Sequence, residues 1–120
     1  MGRDPRLGDV FWVESGRLNP SVPGQPHPQV VVQPDVLNRS RISTVVVCGL
    51  SSQLGKGSEP GNVTLEDGEA GLTKRSVVIV SQVSTVEKSD LGAYLGTLSE
   101  QRVQQVLDGL AFQQRAFFQR

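Results

Sequence analysis

The chain has 120 residues, 37% of them hydrophobic, with 12 basic and 12 acidic side chains, one cysteine and one histidine. That length suits a single domain spanning 1–120 with a modest core, and the balanced charge argues against a partner such as long duplex DNA. One cysteine excludes an internal disulfide, and one histidine without a CxxC pair leaves no zinc pattern, so neither metal nor cofactor is expected.

Six aromatic residues (Trp 1, Tyr 1, Phe 4) leave the core to Val and Leu, a composition that favours sheet. No signal peptide and no long apolar span is visible, so a cytoplasmic protein without a membrane segment is expected. Residues 1–7 are polar. Asp9–Glu14 (DVFWVE) then reads as a first strand with apolar side chains on both faces. The segment 15–29 holds Pro20, Pro23, Pro26 and Pro28, which argue against helix and strand interior. It reads as a long, proline-stiffened active-site loop carrying the only histidine, His27.

Val30–Val32 reads as the second strand, ended by Pro34, and Asp35–Asn38 as a single helical turn. Arg39 and Arg41 flank Ser40 on the polar connection that follows. They are either a solvated loop or a pair of phosphate-facing cations. Ser43–Leu50 (STVVVCGL) is the best strand, with Cys48 placed as a small buried hydrophobe. Leu54–Asn62 is a glycine-rich loop carrying Lys56, Val63–Leu65 a short strand, and Glu66–Gly71 an acidic turn.

Residues 76–86 alternate in a way that predicts a bent or bulged strand changing surroundings midway. Lys88–Leu91 reads as a turn and Ala93–Leu98 as a last strand. From Ser99 the period becomes helical: Val103, Val106, Leu107, Leu110 and Ala111 form one stripe, continued by Phe117 and Phe118. The helix is expected over 99–118, with Thr97 or Ser99 as its cap. The fold class is mainly β with a C-terminal helix: a small, mostly antiparallel barrel of five to seven short strands with short helical turns, closed to protect its edges.

His27 and Ser51 lie at the ends of two successive apolar runs, and neighbouring strands would bring them to one pocket. No acidic third partner, GxSxG, GxGxxG or P-loop accompanies them. A histidine with hydroxyls and arginines suits metal-free RNA cleavage. There the ribose 2′-hydroxyl is the nucleophile, and the enzyme moves protons and stabilises phosphoryl charge.

The sequence resembles the MazF/PemK family of type II toxin–antitoxin endoribonucleases. The likeness lies in GDVFWV (Gly8–Val13), VVVQPDVLNRS (Val30–Ser40), STVVVCGLSSQL (Ser43–Leu54) and EPGNVTL (Glu59–Leu65). It continues through GLTKRSVVIVSQVSTVEKSDL (Gly71–Leu91) and GTLSEQRVQQVLDGL (Gly96–Leu110). The resemblance implies an SH3-like barrel that dimerises, cuts single-stranded RNA at short sequences without metal, and is neutralised by an antitoxin whose flexible tail fills the RNA groove. It also implies catalytic roles for His27 and Ser51. His27-Pro28 stands where the family has an Arg-Pro pair, and Ser51 where it has threonine or serine. Arg39, Arg41, Ser52, Lys56, Gln82 and Thr85 are the candidate RNA contacts.

Other positions depart from the family pattern. Asn19, Pro20, Ser21 and Val22 replace a Gly-Ser-Glu-Gln type sequence, and Leu7 replaces an arginine. Histidine offers at most two donors where arginine offers five, and losing one transition-state donor costs about 3–4 kcal/mol. The alternatives are therefore a weakened member that binds RNA or antitoxin without efficient cleavage, or a gyrase-poisoning toxin resembling CcdB. The ending AFFQR lacks the Trp-Gly-Ile-like terminus of the CcdB family. A structural SH3-like adaptor would display an aromatic peptide groove, which these scattered aromatics do not suggest.

Overall fold

The computed structural model describes residues 3–14 and 26–119. Among these residues six strands form in chain order: β1 (Asp9–Glu14), β2 (Pro26–Val31), β3 (Thr44–Ser51), β4 (Val63–Leu65), β5 (Ser76–Glu87) and β6 (Leu91–Thr97). Two α-helices accompany them, α1 (Asp35–Asn38) between β2 and β3 and α2 (Glu100–Gln119) after β6. Short 3-10 turns cover Leu54–Ser58, Glu69–Gly71 and Lys88–Asp90. The strands make one antiparallel sheet in the order β4-β5-β3-β2-β1-β6.

Both faces of this sheet are apolar, as the valine runs require. One face buries Val10, Val30, Cys48, Leu50, Leu65 and Val78 against Val106 of α2. The other buries Phe11, Val13, Val31, Val45, Val47 and Val86 where the sheet curls over itself. Alternation along β1, β2 and β3 assigns odd and even positions to the two cores. The bend expected in β5 is present: Cys48 pairs with Val83 but Leu50 with Val78, so β5 carries extra residues there. Its first five residues are buried and the next five exposed.

The curl is not closed by a ladder. Among the described residues β4 and β6 do not pair. The turn Glu69–Gly71 abuts β6 instead, with Gly71 against the Leu95 carbonyl and Gly96 against Ala70. The molecule is a curled six-stranded sheet closed by a turn, rather than a barrel with a continuous ladder.

Two polar clusters fix the frame. Asp9 is fully buried and accepts from the Arg3 guanidinium (2.9 Å), the Arg6 amide (3.0 Å) and the Thr97 hydroxyl (2.7 Å). The Tyr94 hydroxyl lies 2.6 Å from Thr97 Oγ1, and Arg3 stacks over the Tyr94 ring at 4.2 Å. Thr97 is thereby committed to Asp9, and Ser99 caps α2 by accepting the Arg102 amide at 3.2 Å. On the β2–β3 connection, buried Gln33 and Asn38 clasp one another. Gln33 donates to Asn38 Oδ1 (2.9 Å) and Asn38 donates to the Gln33 carbonyl (2.8 Å). Asp35, in the first turn of α1, accepts the Leu7 amide at 2.8 Å. That bond, with another from Asn38, holds the Asp35 carboxyl below its ordinary range.

Candidate active site

The second strand begins earlier than its prolines suggest. β2 starts at Pro26, so His27 and Pro28 lie in a strand and not in the loop expected over 15–29. The remainder of that loop, residues 15–25 with Asn19, Pro20, Ser21 and Val22, lies outside the described residues. The physical reason is direction. Val31 offers its carbonyl to Gly8 (2.9 Å), on the β1 side, while the Val32 amide donates to Val46 (3.0 Å), on the β3 side. Alternation then points the backbone groups of His27 and Gln29 toward β1, and those of Pro28 and Val30 toward β3. The missing N–H of Pro28 therefore costs nothing against β1, where pairing runs to Pro26 opposite Glu14. Against β3 the ladder ends at Gln29 opposite Gly49.

That early end opens the site. Extending the register of Gln29 with Gly49 by two residues along each strand, past the last pair, assigns His27 and Ser51 to the same rung and the same face, with no ladder pairing between them. His27 is exposed and sits opposite Val13 of β1. Ser51 is half-buried and its Oγ accepts the Gln53 amide at 3.1 Å, which starts the turn Leu54–Ser58. Ser52 is exposed beside it. Lys56 lies on that turn, with its Nζ 3.7 Å from Glu59 Oε2.

Gln82 comes to the same place from β5. An ideal Cβ on Gly49 would stand 2.7 Å from Gln82 Oε1 and 3.3 Å from Gln82 Cβ. The Gln82 side chain thus crosses β3 at the one rung where β3 has no side chain. Thr85 is three residues on and faces the other side of the strand, opposite Val46.

Arg39 and Arg41 are both exposed, at the opposite end of the β2–β3 pair from Ser51. The seven residue steps of β3 between Thr44 and Ser51 correspond to roughly 23 Å. Around these arginines, Val36, Leu37 and Ile42 are exposed apolar side chains. The structure therefore gathers His27, Ser51, Ser52 and Gln82 at one end of the sheet, with Lys56 on the adjoining turn. Arg39, Arg41 and Thr85 belong to the other end.

Cys48 is buried, donates to the Ile79 carbonyl at 3.0 Å, and has its thiol pushed up to about 12 by burial. It is a packing residue. No group of three or more His, Cys, Asp or Glu suited to a metal ion occurs among the described residues. No helix among them is long and apolar enough to cross a membrane.

Two residues of the site escaped the sequence reading. Gln29 is only 7% exposed, on the face of His27 and directly opposite Gly49. The polar residue heading QVVVQ was its one visible signal. Gly49 was placed inside the third strand but given no role, and β3 runs through it to Ser51.

Comparison with known proteins completes the description. Residues 6–113 match the family model described as PemK-like, MazF-like toxin of type II toxin–antitoxin system. The chain is 31% identical over 102 residues to endoribonuclease MazF6 of Mycobacterium tuberculosis, covering 85% of this chain and 90% of that protein. An endoribonuclease structure from a mycobacterial species superposes with a TM-score of 0.72 at 20% identity, covering 92% of this chain and 90% of the other. A mycobacterial endoribonuclease in complex with its cognate antitoxin gives 0.70 at 19% identity, covering 92% and 93%. These two likenesses concern the fold.

Proposed function

The chain belongs to the PemK-like, MazF-like toxins of type II toxin–antitoxin systems, and from that membership we propose that it is a sequence-specific, metal-independent endoribonuclease acting on single-stranded RNA. The observation that carries the reading is the shared rung of His27 and Ser51 in the gap beyond the last β2–β3 pair. The described side chains converging there are an imidazole, hydroxyls and amides. Such a set moves protons and donates hydrogen bonds, which is what 2′-hydroxyl chemistry requires.

In this mechanism His27 removes the ribose 2′-hydroxyl proton as the 2′-oxygen attacks the adjacent phosphorus. The bond from phosphorus to the 5′-oxygen breaks, and the leaving oxygen takes up a proton from solvent water. The Ser51 hydroxyl donates to a phosphoryl oxygen on which charge develops. Products are a 2′,3′-cyclic phosphate, or the 3′-phosphate from its hydrolysis, and a 5′-hydroxyl. Ser52, Lys56 and Gln82 contact nucleotides flanking the cut. Arg39, Arg41 and Thr85 meet RNA that extends along the sheet.

The expected partner is a cognate antitoxin whose flexible tail occupies the RNA groove, a reading supported by the similar mycobacterial endoribonuclease in complex with its cognate antitoxin. The working form is a cytoplasmic homodimer without affinity for duplex DNA, in keeping with the balanced charge.

The test is end analysis of products from a mixed single-stranded RNA in the presence of chelator. A 5′-hydroxyl with a cyclic or 3′-phosphate is expected, and His27→Ala should lower kcat by about 10²–10⁴-fold. Products bearing 5′-phosphate and 3′-hydroxyl would overturn the route. Full activity in His27→Ala would remove that residue from catalysis. The replacement of the family's arginine by His27 favours one other reading, a member that binds RNA or antitoxin without efficient cleavage. Retained RNA binding with no product from wild-type protein would establish it.

A further inference from the structure

Around Gly49 two side-chain amides converge, only one of which, Gln82, has so far been given a contact with RNA. Gln29 stands directly opposite Gly49 on β2, and the Gln82 side chain reaches over Gly49 from β5. Among the described residues neither side-chain amide has a hydrogen-bond partner. Gln29 is more than nine-tenths buried as a residue, but no buried side-chain nitrogen or oxygen among the described residues lacks a partner, so the Gln29 amide atoms keep access to the open end of the sheet. Both amides lie one step along the strands from the His27–Ser51 rung, about 7 Å away. That is the neighbourhood of a base attached to a nucleotide at the cut.

We propose that Gln29, beside Gly49, and Gln82, lying over the bare backbone of Gly49, form the pocket that selects one nucleobase beside the scissile phosphate; this rests on the reading of the chain as an endoribonuclease. Each amide supplies one acceptor and two donors. Together they match the alternating donors and acceptors on the edge of an unpaired base, the feature by which single-stranded RNA is read. Gly49 is the positioning residue: any side chain there would occupy the space taken by the Gln82 amide. Phe11, paired with Gln29 from the β1 side and buried in the core, fixes the other wall.

The experiment begins by sequencing the 5′ ends of products from a randomised single-stranded RNA pool. Four oligonucleotides differing at each position flanking the preferred cut are then compared by kcat/KM. In Gln82→Leu and Gln29→Leu the ratio between preferred and competing base is expected to fall about tenfold at one shared position, with preferences elsewhere kept. Gln82 is exposed, so Gln82→Leu does not endanger folding. Gly49→Ala is expected to reproduce the loss in the parent and to add nothing in Gln82→Leu, the signature of one residue acting through another. Where a variant cuts too slowly, equilibrium binding of the four oligonucleotides gives the same ratio. Unchanged ratios in both glutamine variants, in a parent that cuts selectively, would overturn the pocket. A parent that cuts no RNA would overturn the enzymatic reading instead.

Discussion

At Gly109 helix α2 crosses the turn at Gly61 so closely that an added Cβ would collide with the Gly61 carbonyl oxygen. In a free helix alanine is favoured over glycine by about 1 kcal/mol, so this residue sacrifices local propensity for contact. Gly109→Ala should therefore destabilise despite its better propensity, with overpacking costing about 1–3 kcal/mol. Thermal melting should show a Tm lower by about 4 °C per kcal/mol lost. An unchanged or raised Tm would mean that the helix can withdraw from the turn at no cost. Gly49 obeys the same steric logic with a different neighbour. There the displaced group is the end of a flexible glutamine, so the consequence falls on the site more than on stability.

The elements β1, β4 and α1 stand at the boundaries that patterning predicts, because each is bracketed by residues with a local meaning. Gly8 precedes β1, and Pro34 with Asp35 opens α1. β2 is the instructive departure. A proline count records how many N–H donors are missing but not which neighbour they would have faced. Here Pro28 faces the side where pairing has already ended. The placement of His27 and Ser51 at one end of the sheet was legible because each flanks an apolar run. Gln29 and Gly49 were not, since their roles depend on register and on a side chain from β5.

The α1–β3 connection also redistributes the expected RNA contacts, placing Arg39 and Arg41 far from the His27–Ser51 rung. If they meet extended RNA, Arg39→Ala or Arg41→Ala should each reduce the salt dependence of binding by about 0.7 in log–log slope. The kcat on a short substrate should hold. A fall in kcat on the short substrate would place them at the chemistry instead.

For the whole molecule, closure depends on contacts between the turn Glu69–Gly71, strand β6 and helix α2. Arg102 of α2 grips Glu69 with two bonds of 3.0 Å, the pair lying three-quarters buried. The hydrogen bond from Arg102 is the chief reason that the Glu69 carboxyl is held below its usual range. A carboxyl lowered in the folded state stabilises above the ordinary carboxylate range, and that contribution is lost as pH falls through the lowered value. Urea midpoints should accordingly be higher for wild type than for Glu69→Gln at neutral pH. The gap should narrow on acidification. A gap independent of pH would show that the charge on Glu69 contributes nothing to closure.

The buried tie between Asp9 and Thr97 has a consequence in time. These residues are 88 positions apart, and β1 has no partner on its β6 side until the chain has reached Leu91, its tie at Asp9 coming only with Thr97. Chains grow from the N-terminus at about 5–20 residues per second, and contacts between remote segments bear the largest loop-closure cost in folding. Strands β1, β2 and β3, which carry His27, Gln29 and Ser51, are therefore made early but remain unbraced while β6 and α2 are still to come. The site acquires its rigid frame among the last events of the molecule's making. A chain interrupted before residue 97 would hold every group of the His27–Ser51 rung and lack the brace that aligns them.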